Sequence, residues 1–217
     1  MVNKNKKDKI SPDNIIKSYM TFFLETSAPP ETVYQFVKDQ EFSEKEFYDH
    51  FGTFESLESN IYKSFFTQTI DLLESNSDYN KFDSKDKLLT FYYTIFEIFK
   101  VNRSYILISD KHSKRPRVSG MKSHFLRFIN SLNIEIVDFK QEKIEELKKR
   151  GIEEFSWKQF ELIYDFWKKD ESPGFEKTDQ LIEKLIQASF DLINTTPIKS
   201  ILDLGKFIFK ENWKKKL

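Results

Sequence analysis

The side chains able to do covalent or metal chemistry are few and poorly spaced for it. The three histidines, His50, His112 and His124, are scattered. None forms a His-x-x-x-His or His-Glu-x-x-His pair, the spacing that puts two imidazoles on one helical face toward zinc. Cysteine is absent, which removes thiol nucleophiles, disulfides, Cys-ligated zinc and iron–sulfur centres. No Gly-x-Ser-x-Gly elbow, Walker-type loop or Gly-rich dinucleotide fingerprint occurs. Carboxylates are plentiful but sit in mixed-charge runs such as Glu142 to Arg150, the pattern of a solvated helix face. The expectation is a protein that is not an enzyme and uses no metal or cofactor. What remains is non-covalent chemistry: polar and cationic side chains toward the N-terminus, and a long remainder rich in rings. The 23 Phe among 217 residues supply apolar area for a substantial core or an apolar cavity.

The elements that position these groups read as helices throughout. Only 5 Gly and 6 Pro are available for turns, too few for a fold of many short strands. Residues 1–10 (Lys4, Lys6, Lys7, Lys9) read as a disordered basic arm with no apolar run behind it, so not a signal peptide. Ser11-Pro12-Asp13 is a helix start, a Ser cap followed by Pro at the first helical position. Glu31 to Asp39 is a short second helix. Ser43 caps a third with Glu46 as its capping-box partner, and a fourth runs from Phe54 to Glu74. The polar stretch Ser75 to Asp83 is the expected boundary, giving domains 11–75 and 76–217. Beyond it the pattern predicts Ser84–Val101, Arg103–His112, a basic loop (Lys114, Arg115, Pro116, Arg117), and one long helix Val118–Arg150 C-capped by Gly151. Glu154–Lys169, Lys177–Asn194 and Ile198–Trp213 follow. The longest apolar stretch, Leu88 to Phe99, is broken by Thr90, Thr94 and Glu97 and is too short to span a bilayer, so a cytoplasmic protein is expected.

The run Phe42-Ser-Glu-Lys-Glu-Phe-Tyr48-Asp-His50-Phe51-Gly52-Thr-Phe-Glu55-Ser-Leu57, with Glu31-Thr32-Val33-Tyr-Gln-Phe36-Val37 upstream, resembles the helix-turn-helix signature of the tetracycline-repressor (TetR) family over about residues 11–70. Phe47 and Phe51, four apart, share one helical face toward a small core. The resemblance implies an all-α, TetR-like fold of about nine to ten helices: an N-terminal three-helix helix-turn-helix domain and a larger C-terminal helical bundle. It also implies a homodimer binding double-stranded DNA, with Thr32, Lys38, Ser43, Lys45, Tyr48 and His50 at phosphates and base edges. Three departures stand out. Gln40-Glu41 occupies a turn where the family usually carries Gly, and Phe54 replaces a Lys that often meets a phosphate. Between Glu31 and Asn60 two basic side chains face eight acidic ones, a net of −6. Phosphate affinity comes from Lys and Arg, so the arm must compensate or the motif no longer binds DNA.

In the C-terminal part, Leu88 to Phe99 is apolar nearly all round, as a central helix is. Phe125, Phe128, Ile129, Leu132, Ile136 and Phe139 recur at helical spacing, and Phe155, Trp157, Phe160, Ile163, Tyr164 and Trp167 form an aromatic stripe. Two readings stay open. One is a filled core plus a dimer seam. The other, implied by the TetR resemblance, is a cavity for a hydrophobic small molecule or lipid, lined by Phe96, Phe125, Phe128 and Trp167 with Tyr92, His124, Arg127 and Tyr164 as polar anchors.

A second resemblance rests on Asp170-Glu-Ser172-Pro173-Gly-Phe175-Glu-Lys-Thr178, which is similar to the Asp-x-Ser-Pro-x-Phe-x-x-Thr segment of the TetR-like, lipid-binding accessory proteins of ubiquinone biosynthesis. In residue terms Ser172-Pro173-Gly174 is a turn, with Ser172 or Thr178 capping the next helix. The last helix places Ile201, Leu202, Ile208, Phe209 and Trp213 on one face and Lys199, Lys206 and Lys210 on the other. Such a helix either packs in the domain or the dimer, or makes a peripheral membrane contact. The alternative function is therefore a lipid-binding accessory protein with a vestigial, acidic helix-turn-helix.

Overall fold

The computed structural model describes residues 10–113, 116–134 and 142–195, the side chains of 142–148 and 193–195 aside. The described residues form nine α-helices and no strand: α1 Pro12–Thr26, α2 Val33–Val37, α3 Glu44–Tyr48, α4 Phe54–Glu74, α5 Ser84–Val101, α6 Arg103–Lys111, α7 Lys122–Ser131, α8 Glu142–Lys169 and α9 Glu176–Thr195. Short 3-10 turns lie at Tyr79–Lys81, Arg117–Met121 and Pro173–Phe175. The all-helical expectation holds. The basic arm, the loop residues Lys114 and Arg115, and the terminal helix with Ile201, Leu202, Ile208, Phe209 and Trp213 lie outside the described residues.

Helix starts follow the capping chemistry of the sequence. Ser11 Oγ accepts from the Asn14 amide at 3.2 Å, and Thr32 Oγ1 from Gln35 at 3.1 Å. At Ser43 the capping box is complete, since Glu46 Oε2 accepts from the Ser43 amide at 2.8 Å while Ser43 Oγ accepts from Glu46 N at 3.3 Å. Each cap satisfies an amide that the first turn of a helix leaves unbonded.

One expected helix is corrected. Val118–Arg150 is not continuous. Arg117–Met121 is a 3-10 turn, and α7 ends at Ser131. Asn133 follows in the left-handed region at φ 47°, where the helical ladder cannot continue. Gly151 is not a C-cap either. It lies inside α8, which joins the expected Glu154–Lys169 segment to the acidic and basic run before it. An interior Gly costs a helix roughly 1 kcal/mol relative to Ala, too little to stop one continued on both sides by good helix formers.

Two compact units result. Of the described residues, those from Ile10 to Phe65 together with those of Ile98–Met121 form the first; Phe66–Glu97 and those from Lys122 to Thr195 form the second. The division differs from 11–75 and 76–217 because α6 and the turn after it pack with the N-terminal helices. In the first unit Tyr19, Phe36, Phe47 and Phe54 form a ring cluster, with Tyr19 on Phe54 at 5.4 Å and Phe47 on Phe54 at 5.4 Å between centroids. Phe23 extends it to Tyr105 of α6 at 5.7 Å. The second unit is built on Phe91, Tyr92, Phe96, Phe125, Trp157, Phe160 and Trp167, with Phe91 stacked on Phe128 at 4.5 Å and Trp157 on Phe160 at 5.5 Å. Edge-to-face and offset geometries of this kind add to the area these rings bury.

Candidate nucleic-acid interface and ligand cleft

The helix-turn-helix unit comprises α2, the connection 38–43 and α3. Its apolar side is buried at Val33, Phe36, Val37, Phe42, Phe47 and Phe51. Thr32, Lys38, Ser43, Lys45 and Tyr48 are exposed, with Tyr48 at 55%. The structure therefore brings these residues to the solvent side of one small unit. The hydroxyls of Thr32 and Ser43 are already engaged as helix caps. That leaves Lys38, Lys45 and Tyr48 as groups able to reach outward.

Two departures from the family pattern have local explanations. The turn at Gln40-Glu41 does not enter the left-handed region, since the positive-φ residues described are Ser27, Asn133, Gly174 and Phe175, so no Gly is required there. Phe54 joins the Tyr19–Phe36–Phe47 cluster. It adds to the core of the unit, where a Lys would place a charge.

The acidity is partly internal. Glu58 is 5% exposed. Its Oε1 accepts from the Tyr19 hydroxyl at 2.6 Å, and its Oε2 is ion-paired with Arg117. Burial raises the Tyr19 hydroxyl well above its ordinary range, with Arg117 opposing, so it stays protonated and donates. Arg117 is itself pinned, its amide donating to Asp110 Oδ1 and its Nε to Ser109 O, both at 3.1 Å. Arg117, expected in a basic loop, is thus a buried partner rather than a surface cation. Gly120 follows it, and a Cβ there would lie 3.1–3.3 Å from Ser59 Oγ, Cα and O, so the turn approaches α4 closely. Glu46 is likewise turned back into the capping box. Sequence reasoning counted Glu46 and Glu58 among the repelling acids. The capping spacing announces the first, but nothing local announces the second.

His50 does not face outward as a base-edge reader. Its Nε2 lies 2.9 Å from the carbonyl oxygen of Ile10. A carbonyl only accepts, so Nε2 carries the proton. The bond ties the chain at Ile10 to the end of the α3 segment.

In the second unit an open cleft of about 350 Å³ is lined by α4 (Phe66, Ile70, Leu73, Glu74), Tyr79 and Asn80, Lys87 of α5, and α7 (His124, Arg127, Phe128, Ser131, Leu132). Of the expected pocket residues it gathers His124, Arg127 and Phe128. Tyr92, Phe96, Phe125, Tyr164 and Trp167 do not line it; they are packed into the aromatic core at 5% exposure or less. Phe66 and Ile70 carry the periodicity of any core-facing stripe and Lys87 looks like any surface cation, so no local pattern marks them as lining.

Asp170 explains the Ser-Pro-Gly segment in structural terms. Oδ1 accepts from Ser172 N (2.9 Å) and Ser172 Oγ (2.7 Å). Oδ2 accepts from Thr178 N (2.9 Å) and Thr178 Oγ1 (2.6 Å). Ser172 Oγ also accepts from Lys177 N at 3.1 Å. The carboxylate thus caps α9 across the turn and anchors Thr178, which was itself expected as a possible cap. Burial raises the Asp170 pKa, but the four hydrogen bonds outweigh it and hold it at about 2.

Residues 87–208 match the family described as tetracyclin repressor-like, C-terminal domain. The chain belongs to the TetR family. Neither a curated protein nor a solved structure gives a match. Helices α5–α9 fall within or overlap the matched C-terminal region. No helix of the described residues is long and apolar enough to cross a membrane.

Proposed function

We propose that this TetR-family protein is a transcriptional regulator that binds duplex DNA as a homodimer and responds to a hydrophobic small molecule. The observation that carries the DNA half is the helix-turn-helix: its buried aromatic side fixes α3, and Lys38, Lys45 and Tyr48 stand exposed beside it. Two features answer the acidity. Glu58 is buried and its charge is paired with Arg117. The Ile10–His50 bond ties the residue that follows Lys4, Lys6, Lys7 and Lys9 to the reading helix, which supports a role for those lysines at phosphates.

Dimerisation is supported by an apolar stripe on α8. Phe155, Leu162 and Phe166 are 43%, 53% and 39% exposed at heptad-like spacing. Gln159 of the same stripe donates to Leu185 O (3.2 Å) and Ser189 Oγ (2.8 Å), so the stripe borders α9, whose Leu192 is also exposed, at 36%. A second copy of the same helix pair is the natural cover, as in a four-helix seam.

The test is selection of bound duplexes from fragmented genomic DNA by the full chain, followed by sequencing. A shared inverted repeat with half-sites about one helical turn, or a multiple of it, apart is the expected result. Recovery of unrelated fragments in proportion to their length, or of none, would overturn the regulator reading.

A further inference from the structure

The cleft of the second unit carries a charge pattern that narrows what it takes. Its lining includes the apolar side chains Phe66, Ile70 and Phe128. It also includes Lys87 and Arg127, and among the described residues neither is in an ion pair. Arg127 is held in place by its Nη2, 2.7 Å from His124 Nδ1. That nitrogen accepts from the guanidinium. The His124 ring itself lies 5.8 Å from Phe66. Lys87 sits over the Tyr79 ring at 5.9 Å. One carboxylate, Glu74, lines the same cleft, so two cations face one anion and the balance is positive. A cationic ligand would meet Lys87 and Arg127 head-on, and a neutral apolar one would draw nothing from either charge. A cleft of about 350 Å³ is near the lower end of small-ligand sites, which suits a single short chain.

The geometry points to this cleft as the binding site for an anionic amphiphile, a medium-length alkyl chain bearing one carboxylate. The carboxylate accepts from Arg127 and Lys87, and the chain lies on Phe66, Ile70 and Phe128. As an effector site the inference rests on the regulator reading, because α4 lines the cleft with its last residues and carries Glu58 near its start. As a binding site it stands alone.

The test uses the full chain and three probes with one tail: octanoate, octanol and octylamine, titrated calorimetrically without DNA. Octanoate is expected to bind tightest and octylamine not at all. Arg127→Ala and Lys87→Ala are each expected to weaken octanoate about tenfold, the loss of a charge-assisted hydrogen bond, and to leave octanol unchanged. Arg127 is exposed, so its removal leaves folding intact, and Arg127→Glu is expected to reverse the preference toward octylamine. Octanol binding as tightly as octanoate, or octanoate affinity unmoved in both alanine variants, would overturn the inference. Duplex binding is measured separately: its failure with octanoate binding intact removes the regulator and keeps the site, whereas operator binding without octanoate binding removes the site and keeps the regulator.

Discussion

Arg117 meets the carboxylate of Glu58 from far along the chain, and the two side chains are buried together, 14% and 6% exposed. A buried ion pair adds little net stability, because desolvation offsets the attraction, but breaking it by removing one partner leaves a charge with nothing to compensate it. Arg117→Ala is expected to destabilise the protein by about 3–5 kcal/mol, read as a lowered urea midpoint. Glu58→Gln with Arg117→Met is expected to recover most of that loss. A single variant as stable as the parent would show that the pair is solvated.

Asp170 gives an acid dependence with a definite sign. Its folded pKa of about 2 lies below the ordinary 3.8. Its contribution is therefore complete above the ordinary value and is lost as pH falls from about 4 toward 2. Asp170→Asn is expected to cost about 1–3 kcal/mol at neutral pH and to flatten that part of the stability–pH curve. The check is thermal melting at closely spaced acid pH values, parent against variant.

On α8, Leu162→Glu with Phe166→Glu places two charges in the exposed apolar stripe. The expected outcome is a shift from dimer to monomer by sedimentation equilibrium, with the circular dichroism of a helical protein retained. An unchanged mass would locate the seam elsewhere.

Exposed and engaged acids separate in their effect on DNA. Glu44 and Asp49 are exposed on or beside α3, and changing either to Gln or Asn is expected to strengthen duplex binding several-fold at low salt. Glu58→Gln is expected to give no such gain, since Glu58 is already paired. Electrophoretic mobility shifts at matched salt distinguish the two classes.

How far the sequence reached depends on range. Caps at Ser11 and Ser43–Glu46 are legible because they are local: a hydroxyl, a three-residue spacing and an apolar run suffice, whereas the Thr32 cap lies inside the expected Glu31–Asp39 helix. The bounds of α4 and α5 followed from the same signals. The break after Ser131 was missed because Leu132 keeps the apolar period of α7 while Asn133 turns out of it. Gly151 looks like a cap because it ends one periodic stretch, but the next stretch continues the same helix. The placing of α6 with the N-terminal helices, and the Glu58–Arg117 pair, depend on contacts between distant segments that no local pattern encodes. In the ligand region the residue types were legible but not the face. Tyr92 and Tyr164 read as anchors like Arg127, yet they are packed in the core.

The most direct test of the regulator reading is the salt dependence of duplex binding for the full chain beside a version lacking residues 1–10. Four lysines lie in that segment, and each phosphate neutralised contributes roughly 0.9 to the slope of log affinity against log salt. Binding at low salt that weakens steeply, with a slope reduced by up to about 3.6 for each protomer's arm, hence about 7 for the dimer, on removing the arms, is the expected result. No duplex binding by the full chain even at low salt would contradict it, and would mean that the acidic helix-turn-helix has left DNA behind.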